Sequence, residues 1–180
     1  MLPLTEKTIR SSFSNASRKE VSDLTLPPSF GEIEWDALDF LGWRDPKMPR
    51  RAYAVIPSGG DGVTAIPSSD DGVTAIPSGG DGVTAILLRQ GDVAPTARAQ
   101  CAWCQDVTLP SPVVFYSAKR SGASGRNGNT LGTLVCADFE CSTNARRRPP
   151  EAYLGFDADA ARDEQVVRLR SRVAAFAASV

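Results

Sequence analysis

The chain of 180 residues contains no histidine at all. That gap excludes a Ser-His or Cys-His nucleophilic pair and any metal centre built on imidazole. A base made from carboxylate, lysine or tyrosine would remain, but no paired constellation of such groups stands out. A charge excess is also missing, because 20 basic and 21 acidic residues leave a formal charge of −1. No global field therefore draws the chain to nucleic acid or membrane, and any charged surface must be local. Long apolar runs are lacking as well: stretches such as "AILL" and "VVFY" fall far short of a bilayer span. The opening "MLPLTEKTIRSSF" has no apolar stretch of signal-peptide length, which predicts a cytoplasmic protein without membrane contact. The 42% apolar content suffices for one modest core with appendages.

What the sequence does contain is four cysteines in two close pairs, "CAWC" (Cys101, Cys104) and "CADFEC" (Cys136, Cys141), with 31 residues between them. In a reducing compartment such spacing points first to metal or redox chemistry rather than a disulfide scaffold. Four thiolates suit tetrahedral zinc, which has no ligand-field preference and binds sulfur at about 2.3 Å. A thioredoxin-type redox C-x-x-C would leave the second pair unexplained, and four buried free thiols would leave the spacing unexplained. Four sulfur ligands fill a tetrahedron, so the metal is expected to be structural. Between the pairs, "VVFYSAKR" and "TLGTLVC" have strand character and are joined by the loop "SGASGRNGN". "ADFECSTNARR" then opens a helix whose first turn is expected to hold both sulfurs of the second pair, the arrangement of a treble clef. The Gly-rich loop lacks Gly-Lys-Ser/Thr and does not lead into a helix, so it is not a phosphate loop.

Upstream, Thr5 can cap a short helix with apolar positions Ile9, Phe13 and Ala16, ending before Pro27-Pro28. "IEWDALDFLGWRDPKMP" clusters Trp35, Leu38, Phe40, Leu41 and Trp43 before Gly42 and Pro46 break it, predicting a helical turn followed by a packed loop. "RAYAVI" (51–56) and "VTAILLRQ" (83–90) are expected strands of a hairpin. Between them one ten-residue unit is written three times, "IPSGGDGVTAIPSSDDGVTAIPSGGDGVTAI". A calcium β-roll would need period nine and aspartate where Thr64, Thr74 and Thr84 stand. An added meander would need strands stopped by prolines. A tolerated hairpin-tip insertion is the favoured reading, since doubling a loop costs only about 0.6 kcal/mol.

The segment 97–148 is the basic one, with seven basic and three acidic residues. Because a Zn(Cys)4 centre itself adds about −2, the surface left is modestly basic. Lys119, Arg120, Arg126 and the run Arg146, Arg147, Arg148, interleaved with Tyr116 and Phe139, suit phosphate contacts and stacking, a protein interface, or an ordinary solvated face. At the C-terminus Asp157 can cap a long helix on which Val166, Leu169, Val173 and Phe176 recur at three- and four-residue steps, expected to pack back on the body.

In this order, "FLGWRDPKMPRRAYAVI", "CAWC", "VVFYSAKR", "GRNGNTLGTLVC" and "CADFECSTNARR" resemble the FBP-domain family of elongation factor G-binding, treble-clef zinc-finger proteins. The similarity covers most of residues 1–155 once two repeat copies are set aside. This family includes the fusidic-acid-resistance proteins that bind elongation factor G and release it from drug-stalled ribosomes. The resemblance implies a non-catalytic protein, not an enzyme, that binds elongation factor G, with one structural zinc on Cys101, Cys104, Cys136 and Cys141. The alternative is an RNA- or ribosome-binding zinc protein. From their position around the finger, Tyr116, Lys119, Arg120 and Phe139 are the expected partner contacts. The expected fold is α+β, a small mixed domain with a β-hairpin and a treble-clef finger between N- and C-terminal helices. Its expected divisions are an N-terminal helical segment (1–50), the hairpin with its repeat (51–92), the finger (93–150) and a C-terminal amphipathic helix (151–180). A monomer is expected. The chain lacks room for the separate N-terminal helical bundle of the resistance proteins and carries the expanded hairpin; both bear on drug rescue more than on factor binding.

Overall fold

A computed structural model describes residues 1–58, 82–92, 98–151 and 153–180. Most of the tandem repeat, and with it the insertion expected at the hairpin tip, lies outside the described residues. Five antiparallel strands form one sheet in sequence order: β1 (Leu41–Arg44), β2 (Arg51–Pro57), β3 (Val83–Gln90), β4 (Val113–Lys119) and β5 (Thr130–Cys136). The two expected hairpins are both present, and β3 joins them, with Leu88, Arg89 and Gln90 facing Ala118, Ser117 and Tyr116. The remainder of β3 has another neighbour. Ala85 donates to the Ser12 carbonyl at 2.9 Å and accepts from the Ser14 N–H at 3.0 Å, and the Asn15 amide exchanges two hydrogen bonds with the Leu87 backbone. Residues 12–15 thus satisfy backbone groups that β4 does not reach.

Short helices flank the sheet. Thr5 caps α1 (Glu6–Ser11), accepting from the Thr8 N–H, and α1 stops earlier than the Ile9-Phe13-Ala16 spacing predicts. Phe13 instead lies beside β3, bridged to Ala85, because pairing with β3 satisfies this backbone better than another helical turn. A capping box between Ser17 and Glu20 opens α2 (Arg18–Ser22), which sequence reading passed over. "IEWDALDFLGWR" gives the expected helical turn, a 3-10 turn at Trp35–Ala37, but the expected packed loop is instead the strand β1. Gly42 is tolerated there because it lies opposite Phe139: a Cβ on Gly42 would sit 2.5 Å from the Phe139 ring. The loop joining β4 and β5 holds a further short helix, α3 (Gly122–Arg126), where only a loop was expected.

Alternation along the strands sorts the apolar side chains into two cores. On one face Leu41, Trp43, Tyr53, Val55, Val83, Ala85 and Leu87 are covered by Ile9, Leu24 and their neighbours in residues 1–38. On the other, Ala52, Ala54, Ile86, Leu88, Tyr116, Ala118 and Val135 pack with the four cysteines, Trp103 and the C-terminal α5 (Ala158–Ser179). Asp157 caps α5 through the N–H groups of Asp159 and Ala160. Leu169 and Val173 are buried, with Val166 and Phe176 packed at the edge of the same core, so the helix docks on the body as its spacing predicts. Among the described residues no helix is long and apolar enough to cross a membrane.

Candidate metal centre

The four cysteines come from three local structures. Cys101 and Cys104 bracket a tight knuckle in which Gln105 donates to the Cys101 carbonyl at 3.0 Å and takes a φ of 51°. Ala102 hangs the knuckle on β5 by donating to the Leu134 carbonyl at 2.7 Å. Cys136 closes β5, and Cys141 is the first residue of α4 (Cys141–Ala145). This corrects the expectation that both sulfurs of the second pair share the opening turn of the helix. The four-residue turn between them is fixed by Ala137 donating to the Pro112 carbonyl and by Phe139 donating to that of Cys136, with Phe139 at a φ of 61°.

All four Sγ atoms are buried and lie within 4.8 Å of one another. Cys101 and Cys141 are 3.6 Å apart and Cys104 and Cys136 3.7 Å, against about 3.8 Å between sulfurs of a zinc tetrahedron with 2.3 Å bonds. The spacing is far too wide for a disulfide, whose sulfurs touch at about 2.0 Å. Backbone and side-chain donors turn toward these sulfurs: the Trp103 N–H meets Cys101 Sγ at 3.4 Å, and Asn144 Nδ2 meets Cys136 Sγ at 3.5 Å while also reaching Ser111. Such donors stabilise thiolates and orient them. Without a cation the thiols cannot all ionise together. Hydrogen bonds from Cys104, Cys136 and Cys141 push Cys101 down, whereas hydrogen bonds with Cys101, Cys104 and Cys136 push Cys141 up. A dication removes that conflict, so the donor set, its spacing and its burial fit one zinc ion. Four protein sulfurs would complete its tetrahedron.

The centre is anchored on both sides. Trp103 packs edge-on against Phe40, with ring centroids 5.2 Å apart, and against Phe139 and Phe176, and Arg172 of α5 donates to its carbonyl. Behind Cys141, Ser142 Oγ accepts from the Asp39 N–H at 3.0 Å. The Asp39 carboxylate, with a side chain only 1% exposed, takes Arg146 from α4 and Arg170 from α5. One acid just ahead of β1 thereby ties the metal-bearing helix to the C-terminal helix.

A knuckle, a hairpin and a helix N-terminus that converge four thiols on one point define a treble-clef zinc finger. The chain belongs to the FBP C-terminal treble-clef zinc-finger family, whose model matches residues 8–180. The match includes α5, which lies beyond the region where the motifs carry the resemblance. No curated protein and no solved structure matches the chain.

The expected partner contacts separate by side of the sheet. Lys119 and Arg120 are exposed where β4 ends. Tyr116 and Phe139 are buried, their rings stacked at 5.3 Å, and Tyr116 donates to the Ala137 carbonyl, so both rings lie beneath the surface. Of the basic residues, Arg126, Arg147 and Arg148 are exposed, while Arg146 is committed to Asp39. The aromatic that does face out on β4 is Phe115, 40% exposed, which sequence reading missed. Period-two alternation in "VVFYSAK" separates Phe115 from Tyr116 but leaves open which of them faces inward.

Proposed function

We propose that the chain is a non-catalytic zinc protein that binds elongation factor G. Membership of the FBP treble-clef family over residues 8–180 carries this reading, through the factor binding that the family resemblance implies. Two features of the molecule support it. A centre with four protein sulfurs leaves zinc no open position for a water or substrate, so the metal's role is to hold the finger in shape. Exposed Lys119 and Arg120 stand at the outer end of the β4–β5 hairpin and offer charged contacts to a protein surface, with buried Tyr116 and Phe139 supporting the hairpin from behind. Release of the factor from the ribosome would be a consequence of such binding.

A pull-down of the zinc-loaded chain with purified elongation factor G, beside a Cys136→Ser variant, tests the proposal. Capture by the native chain and loss in the variant is the expected result, with capture persisting in moderate salt because a protein interface with a packed centre is less salt-sensitive than a phosphate-binding one. If the native chain fails to capture the factor while retaining its zinc, the proposal is wrong.

A further inference from the structure

The sheet face that residues 1–38 cover over β1–β3 continues onto β4 and β5. There the register places Phe115, Ser117 and Lys119 beside Leu134, Gly132 and Thr130, with Arg89 next to Ser117. Phe115 stands on this face close to two glycines. A Cβ on Gly132 would fall 2.5 Å from its Cζ and 2.6 Å from its Cε2, and one on Gly91 would fall 2.8 Å from its Cδ1. Cδ1 and Cε2 are opposite corners of the ring, so its two ends come close to the two glycines. The residue remains 40% exposed.

The chemistry around the ring is one-sided. From Val107 to Ala137 there is no acidic residue, while Lys119, Arg120 and Arg126 are all present and all exposed. Glu20 and Asp92, beside this face, are each paired, with Arg89 and Arg50. Among the described residues Phe115 is the large exposed apolar side chain of the β4–β5 sheet, a single aromatic ring with cations beside it. An exposed aromatic ring, hydroxyls from Ser117 and Thr130, and cations at the end of the strand suit a nucleobase stacked on the ring with its phosphates on Lys119 and Arg120. We infer that the open face of β4–β5 binds single-stranded RNA, with Phe115 as the stacking platform. Lys119 and Arg120 are shared with the factor contacts proposed above, whereas Phe115, Ser117 and Thr130 are not.

Fluorescence anisotropy of the zinc-loaded full chain with a labelled oligouridine about 12 nucleotides long, in about 50 and about 200 mM salt, reads it out. The native chain binds, and affinity falls steeply with salt. Phe115→Leu keeps apolar bulk over the glycines but removes the π face, and weakens binding about tenfold; Phe115→Tyr keeps it. Lys119→Ala lowers the salt slope by about one. Zinc content and melting temperature of each variant, unchanged from the native chain, separate lost binding from lost folding. The inference is overturned if the native chain does not bind at the lower salt, or if Phe115→Leu binds as the native chain does. It is equally overturned if Phe115→Leu abolishes capture of elongation factor G while RNA binding persists, since the face would then be a protein surface.

Discussion

Two side chains near the metal decide more than their neighbours do. Asn144 is buried and divides its amide between Cys136 Sγ and Ser111, so it orients a ligand without being one. Removing such a donor usually lowers metal affinity about 10- to 100-fold. Asn144→Ala is therefore expected to lose zinc to a chromophoric chelator at least about tenfold more readily, while keeping the stoichiometry of one. Asp39 acts further out, holding Arg146 and Arg170 from a position of almost complete burial. Breaking a buried pair typically costs 3–5 kcal/mol, but the two arginines left behind in Asp39→Ala are half-exposed or nearly so and regain water. The expected loss is about 2 kcal/mol, measured as a lower urea midpoint of the zinc-loaded protein. Nothing in the sequence marks Asp39 among 21 acidic residues, because its role depends on two arginines more than 100 positions away.

The strands and the finger meet at Gly42 and Phe139. The Phe139 ring fills the space where a side chain on residue 42 would stand, and the same ring stacks on Tyr116 and leans on Trp103. Gly42→Ala forces ring and strand apart, and is expected to destabilise the chain by about 2 kcal/mol, the usual scale of overpacking, seen as a lower melting temperature. The hairpin β2–β3 makes the opposite kind of prediction. Its ladder is continuous from the Arg51–Arg89 pair to the Pro57–Val83 pair, and residues 57–66 repeat identically as 77–86. Deleting residues 57–76 restores the same local sequence at the same register, so zinc content and melting temperature are expected to stay within error of the full chain; a collapse of either would show that the repeat supports the fold.

Elements with a local signal were legible in the sequence: the strands rich in β-branched residues at 51–57 and 83–90, the caps at Thr5 and Asp157, and the cysteine spacing. Those set by distant partners were not. Strand β1 carries a glycine and adjoins Asp-Pro, and it is a strand because Phe139 from the zinc loop accepts that glycine. Tyr116 and Phe139 look like surface aromatics among basic residues, yet the metal-bearing turn draws both into the core.

At the scale of the molecule, one sheet separates two cores, and the zinc centre belongs to only one of them. Residues 1–38 pack on one face, and the knuckle, α4 and α5 on the other, with Asp39 and β1 as the passage between. The thiols cluster with Trp103, Phe139 and Leu169, so their sulfurs are part of the packing that holds α5 in place. An ion at their centre is then a folding element of the whole second core, and its loss would leave four mutually repelling or protonated sulfurs inside that core. The most direct measurement is metal analysis of the purified chain, followed by circular dichroism melts before and after exhaustive chelation. One equivalent of zinc, and loss of the cooperative transition once it is removed, is the predicted result. Less than half an equivalent in carefully purified protein, or an unchanged melt after complete removal, would contradict the assignment of the four cysteines as the structural metal site.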